Sequence, residues 1–312
     1  MRIAIAQIAP VWLDRAATLD KIILYVKQAA AQEAKLVVFG ETILPGYPFW
    51  LSVTDGARFN AERQKEIHAH YLKEAVCIER GDLGRLQAIA RANQIAIVLG
   101  IIELPLDRGG HSCYCSMVSI DPTGAIVNVH RKLQPTYEER LCWSPGDGYG
   151  LKTFPLDEFT VGGLNCWENW MPLPRAALYG QGENLHLAIW PGCLRNTEIL
   201  TRFLAREGRS YCVSVSGLMR KSDIPDGIPH VELIRENFDE MPADGGSCIA
   251  NPDGSWLLEP IVGEEALRFA TLDFDYVLRE RQNFDPAGHY SRPDITQLSV
   301  NRERQSTVRF LP

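Results

Sequence analysis

Val161-Gly162-Gly163-Leu164-Asn165-Cys166-Trp167-Glu168-Asn169-Trp170-Met171-Pro172 is the stretch that decides how this chain folds. It opens as a short apolar run with the character of a buried strand and then presents a cysteine. A helix is expected within a few residues, because Asn169 suits an N-cap and Pro172 a first turn. A thiol there lies outside the carboxyl end of a strand, where open α/β sheets gather their ligands. The positive end of the following helix is expected to lower its pKa. Taken locally, the pattern favours a small buried hydrophobe, the usual fate of a free cysteine. The rest of the chain decides between the two.

Upstream, Met1 to Gln7 reads as a strand, and Leu19, Ile22, Ile23, Val26 and Ala30 recur at helical spacing over residues 14–33. An apolar strand over residues 35–39 completes a β-α-β unit, which implies a parallel sheet. A turn-rich aromatic loop, Leu44 to Trp50, comes next, then helices over residues 61–75 and 82–93. Residues 95–102 form a continuous apolar strand of the kind found in sheets covered on both faces. A hairpin over residues 111–120 and 125–131 turns on Asp121-Pro122-Thr123-Gly124. Residues 133–155 show no period, and a long irregular segment inside a compact domain is usually functional.

Downstream, a helix runs from the cysteine loop to about Tyr179, residues 185–190 form a strand, 196–208 a helix and 211–218 a strand. Residues 221–242 are polar and proline-punctuated, an excursion rather than core. A second hairpin turns on Asn251-Pro252-Asp253-Gly254, followed by a strand over 268–274 and a short helix over 275–282. Both halves thus run through strand–helix–strand units into a hairpin with Pro-x-Gly at its turn. That pattern points to two related sheets packed as layers. No low-complexity linker divides the chain, so residues 1–312 read as one domain.

Composition narrows the function. Of 312 residues, 46% are hydrophobic and 23% charged, ordinary for a globular protein with a sizeable core. A net charge of −7 argues against nucleic-acid or anionic-membrane partners. No apolar run is long enough to span a bilayer. The first strand begins at once, so a signal or transit peptide is not expected. Eight cysteines in that setting read as reduced thiols, and a cytoplasmic location follows.

Three residues occupy equivalent places: Glu41, Lys132 and Cys166 each follow a predicted strand. In a parallel-type sheet such ends line one edge, where active sites form. Separately, Glu41 reads as a turn cap and Lys132 as a solvated charge; together they suit nucleophilic catalysis by a thiol. Glu41 would take the proton of Cys166 and later activate water. Lys132 would stabilise charge developing on the attacked group. Glu139, in the irregular loop, would hold Lys132 and orient the leaving group or water, and its carboxylate together with that of Glu41 would keep the lysine cationic.

At this point the motifs resemble a known family. Gly40-Glu41-Thr42 with Pro45-Gly46-Tyr47-Pro48, His130-Arg131-Lys132-Leu133 with Pro135-Thr136 and Glu139-Arg140, and Cys166-Trp167-Glu168-Asn169 resemble the nitrilase superfamily. The likeness extends to the segment from Asp285 to Asp294. The Cys-Trp-Glu-Asn-Trp-Met-Pro run and the Gly-His-Tyr-Ser-Arg-Pro-Asp tail resemble the true nitrilase branch. The resemblance implies an α/β fold built as a four-layer α-β-β-α sandwich. It further implies Glu41, Lys132 and Cys166 as a catalytic triad with Glu139 assisting, and hydrolysis of an organic nitrile to acid and ammonia without a cofactor. An amidase or carbamoylase of the same superfamily is the nearest alternative, and a non-catalytic scaffold a remote one. Trp167, Tyr47 and Trp190 are expected to line the substrate pocket. One departure is Trp143-Ser144-Pro145-Gly146-Asp147-Gly148, where the family usually has Trp-Gly before a Gly-Asp-Gly turn; the proline bears on substrate range.

His111, Cys113 and Cys115 alternate and would share a strand face; the ligand types suit zinc, but no fourth ligand is paired with them, so a core role is expected and no metal. A homo-oligomer, a dimer or larger, is expected from the apolar Ala176, Ala177, Leu178 and Tyr179. The resemblance places that helix and a strand-like tail over residues 286–312 at subunit contacts.

Overall fold

The computed structural model describes residues 1–308 and 311. The N-terminal half supplies β1 (Arg2–Gln7), α1 (Arg15–Ala31), β2 (Leu36–Phe39), α2 (Trp50–Val53), α3 (Glu62–Glu74) and α4 (Gly84–Asn93). It continues with β3 (Ala96–Glu103), β4 (Tyr114–Ile120) and β5 (Ile126–Arg131). The C-terminal half supplies β6 (Phe154–Leu156), β7 (Phe159–Asn165), α5 (Pro172–Tyr179), β8 (Leu185–Trp190), α6 (Leu194–Gly208) and β9 (Tyr211–Ser216). Then come β10 (Leu218–Met219), α7 (Val231–Asn237), β11 (Ala243–Ala250), β12 (Trp256–Val262), β13 (Ala266–Thr271) and α8 (Phe274–Arg281).

Two sheets result. The first runs β13-β1-β2-β3-β4-β5, parallel through β1, β2 and β3 and antiparallel at both ends. The second runs β10-β11-β9-β8-β7-β6, parallel through β7, β8 and β9, with β12 added on β11. Strand alternation assigns the layers. Ile3 and Ile5 of β1 face the second sheet, packed with Val161, Leu187 and Val213, while Ala4 and Ala6 face α1 and α4. On the far side, Leu200 and Leu204 of α6 cover Ala188 and Cys212, and Leu178 of α5 covers Leu164. The order is therefore helix, sheet, sheet, helix, as the fold resemblance implied. The first helix forms where its apolar stripe begins, with the Asp14 side chain accepting from the Ala17 N–H at 2.9 Å.

The two sheets are joined at the carboxyl ends of β2 and β8. Glu41 N donates to the Trp190 carbonyl at 3.0 Å, which also accepts from Gly217 N at 3.0 Å. Gly40 makes this approach possible, since a Cβ there would lie 2.7 Å from Gly217 N and 2.9 Å from Trp190 O. Gly100 serves the same purpose one strand over: a Cβ there would meet the backbone of Glu41 and Thr42. Gly40→Ala is therefore expected to lower stability by about 1–3 kcal/mol. It should lower activity with it, because the displaced residue is the neighbour of Glu41. Denaturant unfolding alongside rate measurement checks this; an alanine variant with unchanged stability and rate would show that the seam has slack.

Several expectations are corrected. Asn169 does not cap a helix: the chain makes a single 3-10 turn over Cys166–Trp170 and α5 begins after it. Its side chain is buried, donating to the Cys166 carbonyl at 2.8 Å and meeting His186 Nε2 at 2.8 Å. Residues 221–242 are not a mere excursion, since Ile224, Ile228, Ile234 and Phe238 close a core cluster with Trp12 and Trp50. In α5, Leu178 and Tyr179 face their own core while Ala176 is exposed; further exposed apolar side chains are Trp170, Met171 and Leu173 before and within it, and Ile199 and Phe203 on α6. The tail shows no strand among the described residues and has a seat on its own chain. Arg304 Nη1 meets the buried Asp147 Oδ1 at 3.0 Å, and Gln305 N donates to its other oxygen at 3.0 Å. Arg309, Phe310 and Pro312, within the segment expected at a subunit contact, lie outside the described residues. No helix among the described residues is long and apolar enough to cross a membrane.

Candidate active site

Glu41 and Lys132 follow β2 and β5 of the first sheet, and Cys166 follows β7 of the second. The strand ends do share an edge, as expected, but across the seam between two stacked sheets. All three side chains are buried, as is Glu139. Lys132 Nζ lies 3.0 Å from Glu41 Oε1 and 2.8 Å from Glu139 Oε2. Glu139 is itself held by the Thr136 N–H at 2.6 Å and the Tyr47 hydroxyl at 2.9 Å. Carboxylate oxygens of Glu41 and Glu139 and the Cys166 sulfur all lie within 4.8 Å of one another. The lysine ammonium bonds both carboxylates, the place a bound cation would otherwise take.

Cys166 has φ +47°, the left-handed region that disfavours side chains other than glycine. A non-glycine residue there holds about 1–2 kcal/mol of strain. The surrounding bonds maintain it: Asn169 fixes the Cys166 carbonyl, and His186, oriented by Glu183 at 2.9 Å, fixes Asn169. Glu168 supplies a second brace. Its oxygens accept from Asn165 N at 2.8 Å and from Leu133 N at 2.5 Å, and both face His130 Nε2, at 3.1 and 3.2 Å. One buried carboxylate thus ties the backbone beside the cysteine to the backbone beside the lysine. Burial alone would raise the Glu168 pKa, but His130 and these two N–H groups hold it below the usual value.

The electrostatics overturn one expectation. Burial drives the Cys166 thiol well above its ordinary value; Lys132 pulls it down, Glu41 and Glu139 push it up, and the Trp167 N–H adds only a small lowering. The thiol is a thiol at neutral pH, and attack requires a base. Glu41 is suited to that role. Burial raises its pKa, Lys132 lowers it and Glu139 raises it, leaving it at about 7. Lys132 stays cationic: burial disfavours its charge, but Cys166, Glu41 and Glu139 outweigh that and hold it well above its ordinary value.

The aromatic residues fall into different places. Tyr47 packs edge-on to Trp143 at 5.5 Å and bonds Glu139. Trp167 is half exposed, its indole nitrogen 3.4 Å from Asn196 Oδ1. Trp190 is fully buried beside Cys166, Leu200 and Leu204, with its indole N–H directed at Ser214 at 3.3 Å. His111 is exposed while Cys113 and Cys115 are buried, so the three do not converge. Cys115 instead places its sulfur 3.4 Å from Glu41 Oε1. That contact and the Glu168 brace were not among the sequence-derived site residues. Strand parity carried the signal for the first, since Cys115 shares a face with Met117, which packs between the sheets.

The model of the carbon-nitrogen hydrolase family matches residues 2–282. The chain belongs to the carbon–nitrogen hydrolase family. This hydrolase is 34% identical to a protein named nitrilase 2 from an unknown prokaryotic organism, covering 99% of this chain and 95% of that one. It is 32% identical to an aliphatic nitrilase of Rhodococcus rhodochrous, over 100% of this chain and 82% of the other. It is 33% identical to a bifunctional nitrilase/nitrile hydratase of Oryza sativa subsp. japonica, over 99% and 86% respectively. Among solved structures, the amidase of Nesterenkonia sp. AN1 superposes with a TM-score of 0.64 at 21% identity, covering 91% of this chain and 97% of that one, a likeness of fold. The protein is thus an enzyme acting on carbon–nitrogen bonds, with the two-sheet architecture of its family.

Proposed function

We propose that this hydrolase is a nitrilase, converting an organic nitrile and two waters to a carboxylic acid and ammonia. The observation that carries the reading is the buried set of one thiol, one ammonium and two carboxylates at the seam. Its relatives' names direct the choice of substrate class. Cys166 Sγ bonds to the nitrile carbon while its proton passes to Glu41; Lys132 stabilises the nitrogen as charge develops, and Glu41 returns the proton to that nitrogen, giving a neutral thioimidate. Water, activated by Glu41 and positioned with Glu139, adds to that carbon; ammonia leaves and an acyl-thioester remains. A second water frees the acid and returns the thiol. In this reading Tyr47 and Trp167 contact the substrate; Tyr47 is supported by its bond to Glu139, Trp167 by following Cys166 directly, and Trp190 packs behind Cys166. Incubation with paired nitriles and amides, following ammonia and acid, tests the reading. Turnover of amides with none of nitriles would assign the amidase alternative.

Because Glu41 must be ionised to accept the proton, kcat/KM is expected to fall as pH drops through about 7. The limb should approach about tenfold per pH unit. A pH–rate profile whose acid limb lies at the ordinary carboxylate value would exclude Glu41, in this environment, as the base.

The reading includes a homo-oligomer in a reducing, cytoplasmic setting and a single unit over residues 1–312. Its support is the exposed apolar surface of Trp170, Leu173, Ile199 and Phe203, and eight free cysteines. Deleting residues 294–312, which this reading puts at the contact between copies, should weaken assembly; activity should fall with it, because Arg304 in that segment is bonded to Asp147 in the loop packed on Lys132. Sedimentation and rate measured on the same sample check this; a fully active monomer would separate the two.

A further inference from the structure

We infer that Cys115 is a positioning residue for the base: its thiol donates to Glu41 Oε1 and leaves Oε2 as the oxygen that receives the Cys166 proton. This rests on Glu41 and Cys166 having the roles given above. Cys115 lies on β4, on the face turned toward the second sheet, and is almost wholly buried. It touches two members of the site at once. Its carbonyl accepts from Lys132 N at 2.8 Å, fixing the lysine backbone. Its sulfur lies 3.4 Å from Glu41 Oε1, the oxygen that Lys132 Nζ also meets at 3.0 Å.

The two oxygens of Glu41 are therefore unequal. Oε1 carries two donors, whereas Oε2 is buried and has no partner among the described residues. A buried carboxylate oxygen without a donor is unusual, and here it identifies the free lone pairs. In the attack, the Cys166 S–H bond breaks, its proton bonds Oε2, and Sγ bonds the electrophilic carbon. The bonds at Oε1 need not change. A thiol is a weak donor, so Cys115 biases the carboxylate without neutralising its basicity. Burial and the neighbouring Glu41 hold the Cys115 pKa well above its ordinary value, which keeps the proton on its sulfur. The charged and titratable groups facing Glu41 are Lys132, Glu139, Cys115, Cys166 and Tyr47. Of these, the Lys132 and Cys115 hydrogen bonds favour its ionised form.

The test uses Cys115→Ala, Cys115→Val and Cys115→Ser in the full chain. The rate at which iodoacetamide alkylates Cys166 is followed by peptide mass across the acid limb, with thermal unfolding measured in parallel. Alanine and valine remove the donor, valine without leaving a void; serine restores a donor. Both apolar variants are expected to shift the limb to higher pH and slow alkylation there by on the order of threefold to tenfold. The serine variant should not share the shift. A valine variant with the wild-type limb would overturn the inference, as would a serine variant as defective as valine, which would reduce Cys115 to packing. Alkylation needs no nitrile. A shifted limb in a protein that turns over no nitrile would refute the substrate class and leave the inference standing; nitrile turnover with an unmoved limb would do the reverse.

Discussion

Cys166→Ala is expected to abolish turnover, by at least about 10⁴-fold, while changing stability by no more than about 1 kcal/mol. The nucleophile is lost, yet only a sulfur is removed and alanine meets the same positive φ that cysteine already tolerates. With a slow substrate, intact-mass measurement of the wild type should show an adduct on Cys166 that the variant lacks. Residual activity at a tenth of wild type would mean that another of the eight thiols, or none, does the chemistry.

Lys132→Ala should be nearly as damaging to rate and far more damaging to the fold. Transition-state stabilisation by one preorganised donor is worth about 10²–10³ in kcat. Here the same ammonium also separates Glu41 from Glu139, both buried. Without it two carboxylates face each other in a site closed to water, and at least one must take up a proton. Breaking a buried ion pair by removing one partner costs about 3–5 kcal/mol. Arginine should not rescue the variant, because its planar fork does not fit a pocket shaped for a single nitrogen held at 2.8 and 3.0 Å. Denaturant titration beside rate measurement checks both halves; a stable but inactive alanine variant would assign the lysine to chemistry alone.

Much of this was legible before the structure, for a definite reason. Apolar period and Pro-x-Gly turns specify strands and hairpins locally, so the order of elements and the placement of Glu41, Lys132 and Cys166 after strands could be read directly. What could not be read was the partner of each buried polar group. Asn169 has the composition of a helix cap, and α5 begins at Pro172 as expected, yet the 3-10 turn at Cys166 precedes it and turns the Asn169 amide toward Cys166 O and His186. The helix effect on the thiol was likewise outweighed by burial, a property of two sheets rather than one segment. Residues 221–242 look polar on average because four buried side chains, Ile224, Ile228, Ile234 and Phe238, are scattered among solvated ones. Lys132 reads as a surface charge until two carboxylates distant in sequence or loop geometry are brought to it.

The pairing of β13 with β1 also bears on how the site is assembled. The first sheet takes one outer strand from residues 266–271, which follow every strand of the second sheet in the chain, so its closure depends on contacts far apart in sequence. Glu41 and Cys166 follow strands of different sheets, so proton transfer between them is a property of the docked pair and of neither sheet alone.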